Sequence, residues 1–412
     1  MKLVIFAHTP PPHHGQSYMV HLMLEGFGGD HRKKHAKSPV TNGAQYGITC
    51  YHVNARVSRD LEEIGEFQVK KIILLFGHCL SAIWCRFRYG AKTLYYIPAP
   101  GKRSALLRDW MVMFLCRPFF QRTIFQWQAA GLAKWLETSV QIRTRSLTYK
   151  LLKQPDLGVV LADYNRRDAE KLLTKKIALV PNAIPDPCPD FSESLLFRRR
   201  ARANARRKLL SSETLTTEER EKAGGDPEIF KVLFVAHCTR EKGVFDTLDG
   251  VALANQKLVE SNSPIRFHFN VAGVFMNNDE RAEFERRISQ PDLKSIVTYH
   301  GFVGGADKAR LFSECDCFCF PTYYFAESFG IVLIEAMAFG AQIITSRWRA
   351  IPEVMPDNHA GLVDPQSPQQ IANALMHATQ QDFNMTLREH FLEHFTISKF
   401  LTKLADAFHS IE

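Results

Sequence analysis

FAESFGIVLIEA, Phe325 to Ala336, sets two glutamates, Glu327 and Glu335, eight positions apart around a run that begins polar and turns apolar. Upstream, Pro321-Thr322 closes an apolar strand and Tyr323 to Ala326 form a loop. Glu327-Ser328-Phe329-Gly330 then precede or start a helix running to about Ala338, with Gly340 where a C-terminal glycine cap is expected. If the segment were helical throughout, the two carboxylates would stand ~12 Å apart along the axis. An acid/base pair on one bond needs roughly 5–10 Å, so that role is excluded. The spacing suits a clamp on two ends of an elongated ligand whose phosphates rest on the amides at the helix start. An N-terminal Glu favouring the helix dipole plus one exposed Glu would need no ligand. Against that, Glu335 stands among Ile334, Ala336 and Met337, and a buried carboxylate needs partners.

Outward from this stretch, short apolar runs alternate with helix-like segments, the pattern of α/β domains with parallel sheets. The expected strands in the first half are KLVIFAH, VKKIILLFG, KTLYYIPA, TIFQW, LGVVLAD and IALVPN. In the second half they are FKVLFVAH, IRFHFNVAG, SIVTYHG, CDCFCFPT and AQIITS. A chain of 412 residues suits two domains. The division falls at a proline-rich segment that runs into an arginine-dense helix and an acidic patch. The expected organisation is a first Rossmann-like, acceptor-binding domain over 1–188, a charged connection with one exposed helix over 189–228, a nucleotide-sugar-binding Rossmann-like domain over 229–388, and a returning C-terminal helix over 389–412. The arginine run can be a solvated face or a binding surface.

Hydrophobic content of 45% and charged content of 23% are globular values, which excludes a disordered chain. No run approaches the ~20 apolar residues of a bilayer span, and MKLVIFAH is read as a first strand rather than a signal peptide, so a cytoplasmic location is expected. Nine cysteines form no paired framework; Cys315, Cys317 and Cys319 alternate in CDCFCF, as small hydrophobes on one strand face or, with further ligands, a metal site. Residues 1–189 hold 27 Lys+Arg against 13 Asp+Glu, a net of +14, while the remainder holds 25 against 30, a net of −5. The first half therefore faces something anionic: nucleic acid, a membrane surface or a phosphorylated acceptor.

Three further segments carry candidate chemistry. HTPPPHHGQSYMV, His8 to Val20, follows the first strand, where doubly wound sheets bind ligands, and Gly15 permits close backbone approach. A rigid connector is the plainer account. In VLFVAHCTREKGVFDTLDGVA, Val232 to Ala252, Arg240, Lys242 and Gly243 stand at a strand-to-helix junction and make a phosphate clamp or a surface charge string. YHGFVGGADKARLF, Tyr299 to Phe312, runs through a glycine turn into a helix, a loop whose backbone can contact a planar base.

Taken together, these pieces resemble the retaining glycosyltransferases of family 4, which have the GT-B fold: two Rossmann-like doubly wound domains facing a central cleft. E-x7-E in FAESFGIVLIEAMAFGAQIITS, the upstream REKG and VPNAIPD occur in the family's order and spacing. The resemblance implies that Glu335 holds the ribose hydroxyls of a UDP- or GDP-sugar and that Glu327 contacts the donor sugar. Ser328 and the backbone of Phe329, Gly330 and Ile331 would lie by the sugar and diphosphate. Arg240 and Lys242 would neutralise the leaving group, and Gly15 with Gln16 would approach it from the first domain. Gly301, Phe302 and Val303 would contact the base. His237 stands where many relatives have arginine, and Gln126 and Gln128 stand near the place of a usual histidine, on the acceptor side. Glutamine cannot act as a general base, which favours proton transfer to the departing phosphate. No D-x-D string is present, and a metal-independent transfer with no cofactor is expected.

On the acceptor side, Lys102 to Glu137 interleaves Arg108, Arg117, Arg122 and Lys134 with Trp110, Phe114, Phe119, Phe120 and Trp127. Such a stretch suits an anionic bilayer interface, or a core helix whose arginines snorkel. The expected function is hexosyl transfer to a saccharide, lipid-linked at the inner face of a bacterial membrane, in cell-surface polysaccharide or glycolipid assembly. The competing functions are a GT-B enzyme acting on a soluble sugar or sugar phosphate, an inactive nucleotide-sugar sensor, and a basic nucleic-acid-binding protein, for which no binding motif is present.

Overall fold

In the computed structural model, residues 1–11, 15–33, 43–56 and 69–412 are described. Two compact units divide the chain: Met1–Ala183 with Phe395–Glu412, and Ile184–His394.

The first unit holds a parallel sheet of β1 (Lys2–Ala7), β2 (Thr49–Asn54), β3 (Thr93–Tyr96), β4 (Arg122–Trp127), β5 (Leu157–Val160) and β6 (Lys176–Leu179), in the order β2-β1-β3-β4-β5-β6. β1 and β3 to β5 are buried almost end to end, as strands covered on both faces should be. Four helices of this unit matter below: α1 (Gly15–Gly26), α2 (Val69–Tyr89), α3 (Arg103–Cys116) and α4 (Ile142–Leu152).

The second unit holds β7 (Ile229–Val235), β8 (Arg266–Ala272), β9 (Val297–Tyr299), β10 (Cys317–Phe320), β11 (Gln342–Ser346) and β12 (Leu362–Val363), ordered β12-β11-β10-β7-β8-β9. All its ladders are parallel, with Phe318 of β10 opposite Leu233 of β7. Its helices include α5 (Leu196–Leu210), α6 (Val244–Glu260), α7 (Asn278–Ile288), α8 (Gly305–Glu314) and α9 (Ile331–Ala338). In both sheets the first strand sits inside the order with its successors on opposite sides. That is the switch point at whose carboxyl edge doubly wound sheets bind ligands. The loops after β7 and β10 meet there in the second unit, and the loop after β1 lies there in the first. Pro12, His13 and His14 of that last loop fall outside the described residues.

VKKIILLFG is not a strand but the opening of α2, whose inward residues Leu75, Cys79, Ala82 and Cys85 recur at helical spacing in the core. A short apolar run cannot be assigned by periodicity alone, and here the run continues for 21 residues. By length and composition the same helix, from Lys71 to Tyr89, passes the test for a membrane-crossing segment, a test that core helices of soluble proteins pass as well. The strand beside β1 is instead TCYHVN of β2, whose polar His52 interrupts the apolar signal and donates from Nε2 to the Ala7 carbonyl at 2.8 Å.

Nor is the 189–228 segment an exposed connection. α5 packs within the second unit with Arg199, Arg202 and Arg206 buried. Arg199 caps the carbonyls of Phe339 and Cys315, both at 2.8 Å. Arg202 Nε and Arg206 Nη2 close on Asp316 Oδ1 at 2.9 and 2.5 Å. Helix-spaced arginines face inward here because one buried carboxylate and a row of strand-end carbonyls await them.

Of the Lys102–Glu137 stretch, Phe120 and Trp127 belong to the core. The Arg117 fork binds the carbonyls of Leu151 and Lys153 at 2.8 and 2.6 Å. Only Phe114 and Phe119 among its aromatics are exposed.

Cys315, Cys317 and Cys319 are free and buried, and burial pushes the thiols of Cys315 and Cys319 up to about 12. Among the described residues no cluster of His, Cys, Asp or Glu could hold a metal ion. Last in the chain, α10 (Ile397–His409) returns to the first unit and buries Phe400, Leu401, Leu404 and Phe408. Leu401 covers Gly26, where a Cβ would stand 2.4 Å from its methyls.

Candidate functional site

The second unit builds a site from the loops after β7, β9 and β10. After β7 the chain makes a single 3-10 turn, Arg240–Lys242, and enters α6 through Gly243 at φ 87°. A side chain there would suffer twice, because the conformation is left-handed and a Cβ would lie 2.7 Å from the Pro321 carbonyl oxygen. The tight approach lets the Glu241 carbonyl accept from the Tyr323 amide at 2.7 Å and the Thr322 hydroxyl at 3.3 Å. The REKG turn and the loop before Glu327 are thus laced together by backbone.

That lacing places Lys242 against Glu327. Lys242 Nζ donates to Glu327 Oε2 at 2.5 Å, with the two side chains 19% and 12% exposed. The ammonium also lies over the Tyr324 ring at 4.7 Å and the Phe320 ring at 5.5 Å. Trp348 donates to the Tyr324 carbonyl at 2.9 Å and holds the loop from the other side. His237 is at the surface nearby. Desolvation by the surrounding protein pushes its imidazolium below the ordinary range, and the charge of Lys242 adds to this, so the ring is neutral at pH 7.

Arg240 points elsewhere. Its guanidinium pairs with Glu283 of α7 at 2.6 Å and stacks on Phe245 at 4.4 Å, half exposed. The hydrogen bond to Glu283 raises its already high pKa further. Of the two cations in the REKG turn, the structure therefore brings only Lys242 to Glu327.

Glu327 to Gly330 are not helical, so the ~12 Å rise of a continuous helix does not apply. α9 begins at Ile331 from Gly330 at φ 73°, a left-handed residue with Ser328 and Phe329 buried before it. Gly340 ends the element at φ 60°, in the expected cap position. Glu335 lies one turn into α9 and has the partner that its setting required: Lys308 Nζ of α8 at 2.6 Å. Sequence reasoning missed Lys308. It sits in the VGGADKARLF stretch already singled out, but nothing in one dimension links it to a glutamate 27 positions later. Gly301, Phe302 and Val303 lead into α8, Gly301 at φ 65° with its carbonyl accepting from Gly273 at 2.7 Å, and the Phe302 ring 79% exposed. α9 thus has one lysine–glutamate pair just before its glycine-led start, at Glu327, and a second one turn into the helix, at Glu335.

In the first unit, Gly15 and Gln16 open α1 at the carboxyl side of β1. Gln126, near the end of β4, is buried, its amide oxygen accepting from the Tyr95 hydroxyl. It does not present its amide at the surface. Gln128 follows just past the strand and is half-buried.

Comparison with known proteins adds the following. The family described as glycosyl transferases group 1 matches residues 216–393, less than half of the chain. Amylovoran biosynthesis glycosyltransferase AmsK of Erwinia amylovora is 27% identical over 150 residues, 35% of each chain. The protein spans about a third of the length of the curated relatives it matches. Sucrose-phosphate synthase from Thermosynechococcus elongatus superposes with a TM-score of 0.65 at 16% identity, over 100% of this chain and 99% of its own. Anabaena HepE in complex with UDP and glucose gives 0.62 at 13% identity, over 99% of both chains. At those identities the likeness is one of fold. The whole chain has the two-domain α/β glycosyltransferase fold expected from its sequence, and residues 216–393 of its second unit match the group 1 glycosyl transferases.

Proposed function

We propose that the protein is a retaining glycosyltransferase moving a hexosyl unit from a UDP- or GDP-sugar to a lipid-linked saccharide, in bacterial polysaccharide or glycolipid assembly, at the inner face of the membrane. The observation that carries the donor side is the pair of lysine-held glutamates flanking the α9 start. Glu335 would exchange Lys308 for the ribose hydroxyls, and Glu327 would accept from hydroxyls of the sugar. The diphosphate would rest on the amides of Phe329 to Ile331 and against Lys242. The likeness to AmsK, a glycosyltransferase by name, supports sugar transfer, and the shared fold with HepE, whose complex holds UDP and glucose, supports a nucleotide-sugar donor.

In the transfer, the bond between the anomeric carbon and the diphosphate oxygen breaks. The acceptor oxygen bonds to the same face of the sugar, and its proton passes to the departing phosphate. Lys242 neutralises the charge that gathers there, which makes a divalent ion dispensable. Transfer is accordingly expected to proceed in excess EDTA at its full rate. Loss of activity on chelation with recovery on magnesium or manganese would refute this part.

Thermal denaturation against UDP, GDP, ADP and their sugars tests the donor. A ligand at 100 times its Kd adds about 2.7 kcal/mol of stability, a readable rise in Tm. Glu335→Ala is expected to erase the response of the nucleotide that gives it. Silence toward every nucleotide, with a response to duplex or single-stranded DNA, would favour the nucleic-acid alternative.

A further inference from the structure

α2 is apolar on both sides. Leu75, Cys79, Ala82 and Cys85 face the core, while Ile73, Phe76, Leu80, Trp84 and Phe87 form an outward stripe at helical spacing. These are not grazing exposures: Ile73 is 68% and Phe87 65% exposed. The stripe continues onto the neighbouring helix, where Phe119, just beyond α3, packs edge-on against Phe87 at 6.0 Å and Phe114 is 70% exposed. Arg86 fixes this junction by donating to the Phe119 carbonyl at 2.9 Å. Soluble surfaces seldom carry contiguous apolar area of this kind without a partner.

The charges around the stripe select the partner. Among the described side chains, α2, α3 and α4 pack in sequence and carry three, two and three Lys or Arg, eight in all, against one acid, Asp109. Asp109 is buried, accepting from Tyr96 at 2.6 Å and the Ala99 amide at 2.9 Å and paired with Arg108, so that pair offers no charge outward and seven cations remain. Two copies of such a face would repel each other. A nucleic acid would match the cations, and a single strand could stack on the aromatics, but either would leave Ile73 and Leu80 without an apolar partner. A bilayer with anionic headgroups satisfies both: aliphatic and aromatic side chains enter the acyl boundary, and lysines and arginines meet the headgroups. A spanning helix needs lipid on all sides, whereas α2 is core along one whole face, so it lies in the interface plane.

We infer that the outer face of α2, continued by Phe114 and Phe119, docks the first unit flat on an anionic lipid bilayer. This deepens the lipid side of the proposed function and rests on that reading for its purpose.

Co-sedimentation with vesicles of equal parts phosphatidylglycerol and phosphatidylcholine, and of phosphatidylcholine alone, tests it on the full chain. The wild type is expected on the anionic vesicles, released by high salt, and much less on the neutral ones. Phe76→Gln, Leu80→Gln and Trp84→Gln are each expected to weaken binding about tenfold, and the triple variant by 100-fold or more. In the wild type, Trp84 sits where its emission should shift to the blue on anionic vesicles, a readout that needs no variant. Equal binding by the triple variant, absence of the wild type from anionic vesicles, or retention of the wild type on membranes through high salt and alkaline carbonate would each overturn the inference. So would a dimer in light scattering that the triple variant abolishes. The thermal shift with UDP or GDP is the separate control. Vesicle binding lost with the nucleotide response kept removes the docking face alone, and the converse removes the donor reading alone.

Discussion

Lys242→Ala is expected to lower kcat for sugar transfer by about 10²–10³-fold while changing the donor KM little. The ammonium is mostly enclosed and stands 2.5 Å from Glu327 over the faces of two aromatic rings. In that setting its charge is poorly screened, and its effect on a phosphate gathering negative charge is far larger than in water. Arg240→Ala should cost tenfold at most, because its guanidinium is half exposed and held by Glu283. Initial rates of nucleotide release with saturating donor decide the matter. An unchanged kcat in Lys242→Ala, or a larger loss in Arg240→Ala, would reverse the assignment. The Tm of both variants is the control, since Lys242→Ala leaves Glu327 without its ion-pair partner.

The second large effect is on stability. Asp316→Asn is expected to destabilise the second unit by about 3–5 kcal/mol, because it strands the charges of Arg202 and Arg206 inside the protein. Arg202 keeps carbonyl partners at Asp226 and Ile229 and Arg206 keeps Pro227, so loss of the fold should be incomplete at low temperature. For a unit of this size the melting midpoint should fall by about 6–20 °C. The pH dependence has a definite sign. Burial alone would raise the Asp316 carboxyl, but the charges of Arg206 and Arg202 more than reverse it and hold the group well below the usual carboxylate range. A depressed carboxyl contributes fully above its unfolded pKa of about 4, and the contribution is lost as pH falls through the folded value. The gap in Tm between wild type and Asp316→Asn should therefore be flat from pH 7 to about 5 and narrow only in stronger acid. A gap that narrows near neutrality would mean another group carries the effect.

Much of this was legible beforehand, for identifiable reasons. All five strands named in the second half exist, because strands apolar on both faces announce themselves between turn residues. The α9 glycine cap and the need of Glu335 for a partner followed from helix geometry and the cost of burying a charge. What stayed hidden depends on the third dimension. Lys308 is an ordinary helix lysine until α8 lies beside α9. Arg202 and Arg206 read as part of a solvated stripe because their carboxylate, Asp316, stands more than a hundred residues away, as do the carbonyls that Arg199 binds. VKKIILLFG carried too few residues to separate a strand from the first two turns of a helix, and the apolar residues on the outward half of α2 masked its helical period.

The return of α10 has a consequence for how the chain is made. The second unit is one continuous stretch, Ile184–His394, whereas the first is closed by Phe395–Glu412. On the ribosome, the half synthesised first must wait for the last helix before Gly26 and the base of α1 are covered by Leu401 and Phe408. At 5–20 residues per second that wait lasts roughly 10–45 s. Order of synthesis and order of completion are thus inverted: the second unit can finish folding while the basic half, its apolar α2 already exposed, is still open at the seam that α10 will close.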